Sequence, residues 1–233
     1  EALQWLLSQL LRYSFCTVCW TGIKRMMLEG KVTDFIEALS SAKPVPGGGG
    51  ACAAVGAFAA ALGMMVANLT VGKKRYEDVE EEIKETLSRL DELKRQLLVL
   101  TDKDAECFEP LARAYGLPKG TEEEKAKKER VLEKALYEAS VVPLELMETL
   151  LKVMECLKLL GEKGSRLAVS DVGVGILFAQ AALEGAYLNV FINTKLMKNY
   201  ERAQELNQKA EALIQEGTKF QEGIYQEVCA KIR

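Results

Sequence analysis

The 233-residue chain contains no histidine. That absence removes Ser-His-Asp and Cys-His catalysis, histidine-ligated zinc, and any imidazole base working near neutral pH. Proton transfer must fall to carboxylates, lysines, hydroxyls, amides or backbone groups. Aromatic residues are scarce at 7% and prolines number five, which argues against a sandwich of many short, turn-rich strands. Nor is there an excess of positive charge. Lys and Arg number 31 against 34 Asp and Glu, so no general field draws nucleic acid and any anion site must be local. Cysteine is present but not in a framework. Cys16 and Cys19 form a C-x-x-C, yet without a second pair or a histidine half of a zinc site is missing, and no βαβ pattern surrounds it. Cysteines used singly fit a reducing compartment, hence a cytoplasmic protein. With 48% hydrophobic and 28% charged residues, what remains has the composition of a soluble globular protein with one sizeable core.

Residues 1–30 differ from the rest. They hold both tryptophans, Trp5 and Trp20, and no charge between Arg12 and Lys24, and they end near Met26 and Met27. They read as a leader, cloning-derived or upstream-translated, with the natural start near Met26 or Met27 and no fold role assumed; a short partner-binding helix is the alternative. Residues 31–233 read as one helical domain. Val32, Phe35, Ile36 and Leu39 mark a short amphipathic helix that ends at Pro44-Val45-Pro46 and the glycines 47–50. No charge lies between Lys43 and Lys73. This stretch is alanine and glycine rather than leucine, with Asn68 and Thr70 inside it, so residues 50–71 predict a buried central helix and not a membrane segment. Apolar beats at Val79, Ile83, Leu87, Leu90, Leu93, Leu97 and Leu100 predict a long charged helix over 76–114. Gly116 to Gly120 stops it. Thr121 and Glu124 form a capping box, and the next helix runs to about 160, with Pro143 as a kink point. After a turn at 161–164, helices are predicted over 171–197 and 200–232. The fold class is all-α, a bundle of about five long helices. One of them is apolar all round, which favours a homodimer or higher homo-oligomer.

Several residues could carry chemistry. Gly47, Gly48 and Gly49 precede a helix and offer backbone N–H groups that could cradle an anion or a carbonyl-rich ring; a tight turn between crossing helices explains them equally well. Lys73 and Lys74, with Arg75, satisfy a helix C-terminus or form a patch for a polycarboxylate. On one straight helix that patch lies about 30–35 Å from the glycines, so only a second subunit could bring them together. Asp104 sits in a charged run and reads locally as solvated. Asp171, flanked by apolar residues, is a helix N-cap or a functional acid, and capping is the simpler reading. Asn189 and Asn193, four apart, share one face of an apolar helix and form an interhelical network or recognise a heterocyclic amide.

Four stretches taken together resemble the formimidoyltetrahydrofolate cyclodeaminase and methenyltetrahydrofolate cyclohydrolase family. They are Pro44 to Gly49 before an alanine-rich helix; Met65-Val66-Ala67-Asn68-Leu69-Thr70 running into Gly72-Lys73-Lys74-Arg75-Tyr76; Leu117-Pro118-Lys119 with Thr121 to Lys125; and Ser170-Asp171-Val172-Gly173-Val174 followed by Gly185 to Val190 and Ile192-Asn193. The resemblance implies an all-helical, dimerising enzyme of one-carbon metabolism acting on the N5–N10 face of tetrahydrofolate, with no permanently bound cofactor and no metal. It would cyclise 5-formiminotetrahydrofolate to the 5,10-methenyl compound with release of ammonia, or hydrolyse that compound to 10-formyltetrahydrofolate. By the same resemblance Asp104 and Asp171 are the acid/base candidates, Asn189 and Asn193 would hold the pterin amide beside Gly47, Gly48 and Gly49, and Lys73, Lys74 or Lys119 would receive the folate glutamates. The competing class is a non-catalytic helical dimer that binds folate or a protein. Neither nucleic acid nor membrane is an expected partner.

Overall fold

A computed structural model describes residues 26–233; the C-x-x-C and both tryptophans lie outside the described residues. Six α-helices follow in order: α1 (Val32–Ser40), α2 (Gly48–Asn68), α3 (Glu80–Tyr115), α4 (Glu122–Lys163), α5 (Val169–Thr194) and α6 (Tyr200–Ile232). Three short 3-10 segments, Met27–Glu29, Lys74–Val79 and Arg166–Ala168, join them, and no strand occurs among the described residues. Five of the helices are long, as the apolar periodicity predicts. The last residues of the predicted leader are structured: the Met27 N–H donates to Asp102 Oδ1 on α3 at 3.0 Å.

Several boundaries differ from expectation, among them those of α2, which is Gly48–Asn68, and the end of α5, which is Thr194; three others have a local reason. Gly72 adopts φ +75°, a conformation that side chains resist. The chain therefore turns there, and Tyr76 falls in a 3-10 segment rather than in α3. Helix α4 continues through Gly161 to Lys163, and its last N–H bond, from Gly164 to the Leu160 carbonyl, closes at 2.9 Å. Helix α5 begins at Val169 with Ala168 as its N-cap residue. Asp171 is thus not the cap; it is a first-turn acid, favourably placed toward the positive end of the helix. At the start of α4 the expected capping box forms, with Glu124 N–H donating to the Thr121 hydroxyl at 3.2 Å.

Successive long helices run antiparallel. Between α3 and α4 the ion pairs Lys163–Glu82, Arg89–Glu155 and Lys103–Glu145 ascend one helix as they descend the other. Helix α2 lies against both α3 and α5, α4 backs all three, and α6 covers α4 and α5. Small residues let α2 sit this deep. A Cβ on Gly56 would fall 2.6 Å from Leu150 Cδ2, and one on Gly63 would fall 2.9 Å from Leu90 Cδ1. Those leucines, with Ile83, Leu97, Met147, Met154, Leu157, Ile176 and Leu183, make one continuous buried core. Helix α2 and the segment Arg166–Thr194 are long and apolar enough to cross a bilayer, but each buries more than half of its most apolar window inside the bundle, as core helices do.

Candidate active site

The way α2 ends creates the site. Helices α3 and α5 continue past the N-terminus of α2, so the groove that α2 fills along its length is open beyond Gly48. The result is a cavity of about 280 Å³, with the Pro44–Gly49 segment, Asp104 of α3, Val142 of α4, and Asn189 and Asn193 of α5 in its walls. The first N–H groups of a helix lack intrahelical acceptors. Here the Gly50 N–H donates to Asp104 Oδ2 at 2.9 Å, while the Gly48 and Gly49 backbone lines the cavity.

Asp104 comes from a polar run, yet the packing of α2 against α3 half-buries it. Burial pushes its pKa above the ordinary carboxylate value, and the Gly50 N–H bond opposes that rise. Glycine at 49 is a condition of the arrangement: a Cβ there would lie 2.6 Å from Asp104 Cγ and 2.9 Å from Oδ2, and closer still to Oδ1. Beside it the Cys52 thiol is raised to about 11, by burial first and by the Asp104 charge second. Cys107, one turn from Asp104 on the cavity wall, is raised chiefly by burial as well. These thiols are poor nucleophiles. Asn189 Nδ2 donates to the Gly185 carbonyl at 2.8 Å, and Asn193 Nδ2 to the Ala139 carbonyl of α4 at 3.0 Å. Each carboxamide is therefore held in one orientation, and its Oδ1 and second N–H have no bond to a described residue. Such a pair can read a ring that carries both donors and acceptors.

The structure brings Gly47, Gly48, Gly49, Asp104, Asn189 and Asn193 into one cavity. It does not bring in the other four. Asp171 is eighteen residues before Asn189 on the same helix, roughly 27 Å away. Lys73 and Lys74 follow the far end of α2, and Lys119 lies in the turn after α3, outside the cavity lining. Of the wall residues not anticipated from sequence, four lie on α3: Cys107, Phe108, Leu111 and Tyr115. They follow Asp104 by three, four, seven and eleven positions, so helical periodicity from that one acid points to them. Among the described residues no group of three or more Cys, Asp or Glu is placed to hold a metal.

The family model described as Formiminotransferase-cyclodeaminase matches residues 31–212. A methenyltetrahydrofolate cyclohydrolase of Methylorubrum extorquens is 40% identical over 201 residues, covering 86% of this chain and 97% of the relative. The formimidoyltransferase-cyclodeaminase of Rattus norvegicus is 30% identical over 84% of this chain, which spans only 36% of that longer protein. A crystal structure of formiminotetrahydrofolate cyclodeaminase from Thermotoga maritima superposes with a TM-score of 0.75 at 31% identity, covering 88% of this chain and 96% of the other.

Proposed function

The chain belongs to the formiminotransferase-cyclodeaminase family and is a folate one-carbon enzyme, and from that premise we propose that it opens 5,10-methenyltetrahydrofolate with water to give 10-formyltetrahydrofolate. The observation that carries the chemistry is Asp104, a carboxylate half-buried at the end of α2 beside two fixed carboxamides. The hydrolytic direction is supported by the 40% identical relative, which this chain covers almost end to end.

In this reading Asn189 and Asn193 take the amide edge of the pterin and set the N5–N10 bridge over Asp104. Water adds to the bridging amidinium carbon and gives its proton to Asp104. Collapse of the tetrahedral adduct breaks the carbon–N5 bond: N5 takes that proton from Asp104, the adduct hydroxyl releases its remaining proton to solvent as its C=O forms, and the formyl group stays on N10. A carboxyl whose pKa burial has raised suits both halves of this exchange. The Gly48 and Gly49 N–H groups, at the positive end of α2, stabilise the oxygen as it gains charge. A second reading is favoured by the likeness to the Thermotoga cyclodeaminase. There N10 attacks the N5-formimino carbon, and Asp104 passes a proton to the nitrogen that leaves as ammonia. The near-ultraviolet band of the methenyl compound separates the two: it disappears from added methenyltetrahydrofolate in the first and appears from formiminotetrahydrofolate in the second. A protein that does neither refutes both.

We also propose a homodimer. Phe58 and Met65 of α2, Leu69 just past it, and Val174, Leu177 and Phe178 of α5 are exposed on neighbouring antiparallel helices, from the middle of α2 toward the end remote from the cavity. A two-fold axis crossing α2 near Ala61 would cover this face. It would also set the C-terminal end of the partner's α2, and the lysines that follow it, toward the Gly48 end of α2 here. Only across such an interface could Lys73, Lys74 or Asp171 approach the cavity.

A further inference from the structure

The cavity at Asp104 is small for a whole folate. Its 280 Å³ falls just below the range of roughly 300–1,000 Å³ typical of pockets that enclose a drug-sized ligand. A pterin and its bridging carbon fit, and the aminobenzoyl-glutamate must continue outside. One wall of the cavity, Ile192, is at the same time a wall of a second, shallower groove between α5 and α6. Ile192 and Leu188 are 56% and 67% exposed there, with Phe191 beside them, so an aromatic ring leaving the cavity over Ile192 meets apolar surface. The polar end of the same groove is made by Thr194, Lys195 and Asn207.

The hydrogen bonds at that end leave side-chain donors unused. The Thr194 hydroxyl donates to Asn207 Oδ1 at 2.7 Å, which fixes that carboxamide and leaves its Nδ2 without a bond to a described residue. Lys195 likewise forms no ion pair among the described residues. Its neighbours are engaged: Lys198 with Glu129 and Lys209 with Glu148, each at 2.6 Å. An ammonium and an amide N–H₂ at the end of an apolar channel match a carboxylate that follows an aryl ring. From Asn189 to Lys195 is six residues of helix, about 9 Å, which places the donors one ring-length beyond the cavity.

We propose that this groove is the subsite for the glutamate end of the folate, with Lys195 and Asn207 as the carboxylate donors. The proposal deepens the folate reading above and rests on it. It moves the anionic end of the substrate from Lys73, Lys74 and Lys119 to groups that the same subunit already holds beside the cavity.

The test compares 5,10-methenyltetrahydrofolate with the corresponding methenyltetrahydropteroate, which lacks the glutamate, on the full-length protein. Losing one charge-assisted contact should raise KM for the glutamate-bearing substrate about tenfold in Lys195→Ala, with kcat within about twofold. Lys195→Arg should restore most of that loss, and the effect of Lys195→Ala should vanish with the pteroate substrate. Asn207→Ala should repeat the pattern more weakly. Equal KM changes on both substrates, or none on either while the wild type turns both over, would overturn the subsite. So would a glutamate-dependent KM change found in Lys73→Ala/Lys74→Ala and not in Lys195→Ala. A wild-type protein that turns over neither substrate, and forms no methenyl compound from formiminotetrahydrofolate, overturns the folate reading, and the subsite with it.

Discussion

Replacement of Gly49 by alanine is the sharpest perturbation of the proposed chemistry, because it adds one methyl group directly against the reacting carboxylate. The new Cβ would lie 2.6 Å from Asp104 Cγ and 2.9 Å from Oδ2, where ordinary carbon contacts need about 3.5–4.0 Å. The α2 backbone is packed against Leu97 and Leu150 at Gly56, two turns on, so the aspartate side chain is what yields, by about 1 Å, and its 2.9 Å bond to the Gly50 N–H breaks or lengthens. Displacement of a reacting group on that scale costs about 10²-fold in rate. The fold should survive. A hydrogen bond to a charged group contributes about 1.5–3 kcal/mol, and alanine in a helix returns roughly 0.5–1 kcal/mol of that relative to glycine. Gly49→Ala should therefore be a folded protein of slightly lower Tm whose kcat for methenyltetrahydrofolate, followed by loss of its absorbance, falls about a hundredfold. Gly223→Ala is the control, since a Cβ on that residue of α6 meets nothing within 4 Å. If Gly49→Ala keeps kcat within about threefold of the wild type, Asp104 does not act from the position it occupies here.

Three further outcomes follow from the same structure. Asp104→Asn should lower turnover by about 10²–10⁴-fold, the range of a general acid/base. It should also change the pH dependence of stability. Burial raises the folded pKa of Asp104 above its unfolded value, so its contribution is fully present below the unfolded pKa and is lost as pH rises through the folded one. The asparagine variant stays neutral throughout, so its urea midpoint should exceed that of the wild type at about pH 7–8, and the difference should close below about pH 4. Thr121→Ala removes the acceptor of the Glu124 N–H at the start of α4 and should cost about 1 kcal/mol in urea unfolding without changing kcat; an unchanged midpoint would mean the first turn of α4 contributes nothing. Leu177→Glu with Phe178→Glu places two charges on the exposed face of α2 and α5, and sedimentation should show the wild type as the proposed dimer and the variant as a monomer; a variant that remains dimeric would exclude that face.

How much of the fold and site is legible in the sequence depends on whether a residue's fate is decided by its own helix. Within the uncharged text between Lys43 and Lys73, the alanines and glycines predict a close-packed helix over 50–71, and α2 is one over Gly48–Asn68, with Gly56 and Gly63 beneath leucines of α3 and α4. The four-residue spacing of Asn189 and Asn193 likewise puts both on one face by helical geometry alone, and both line the cavity. Asp104 is different. Its neighbours Asp102, Lys103 and Glu106 are those of a solvated surface, and it is the docking of the α2 N-terminus, 54 positions earlier in the chain, that half-buries it. Asp171 shows the reverse: apolar neighbours in sequence suggest a special acid, yet the helix starts two residues earlier and leaves it on the first turn, far from the cavity. The lysines mark the limit. Lys195 and Lys198 are both exposed and three positions apart, and nothing local distinguishes them. What does is a glutamate on α4 that reaches Lys198, leaving Lys195 with its charge uncommitted at the edge of the groove. A binding cation is thus defined less by its own residue type than by which of the acids around it are already taken, and that is a property of the tertiary arrangement alone.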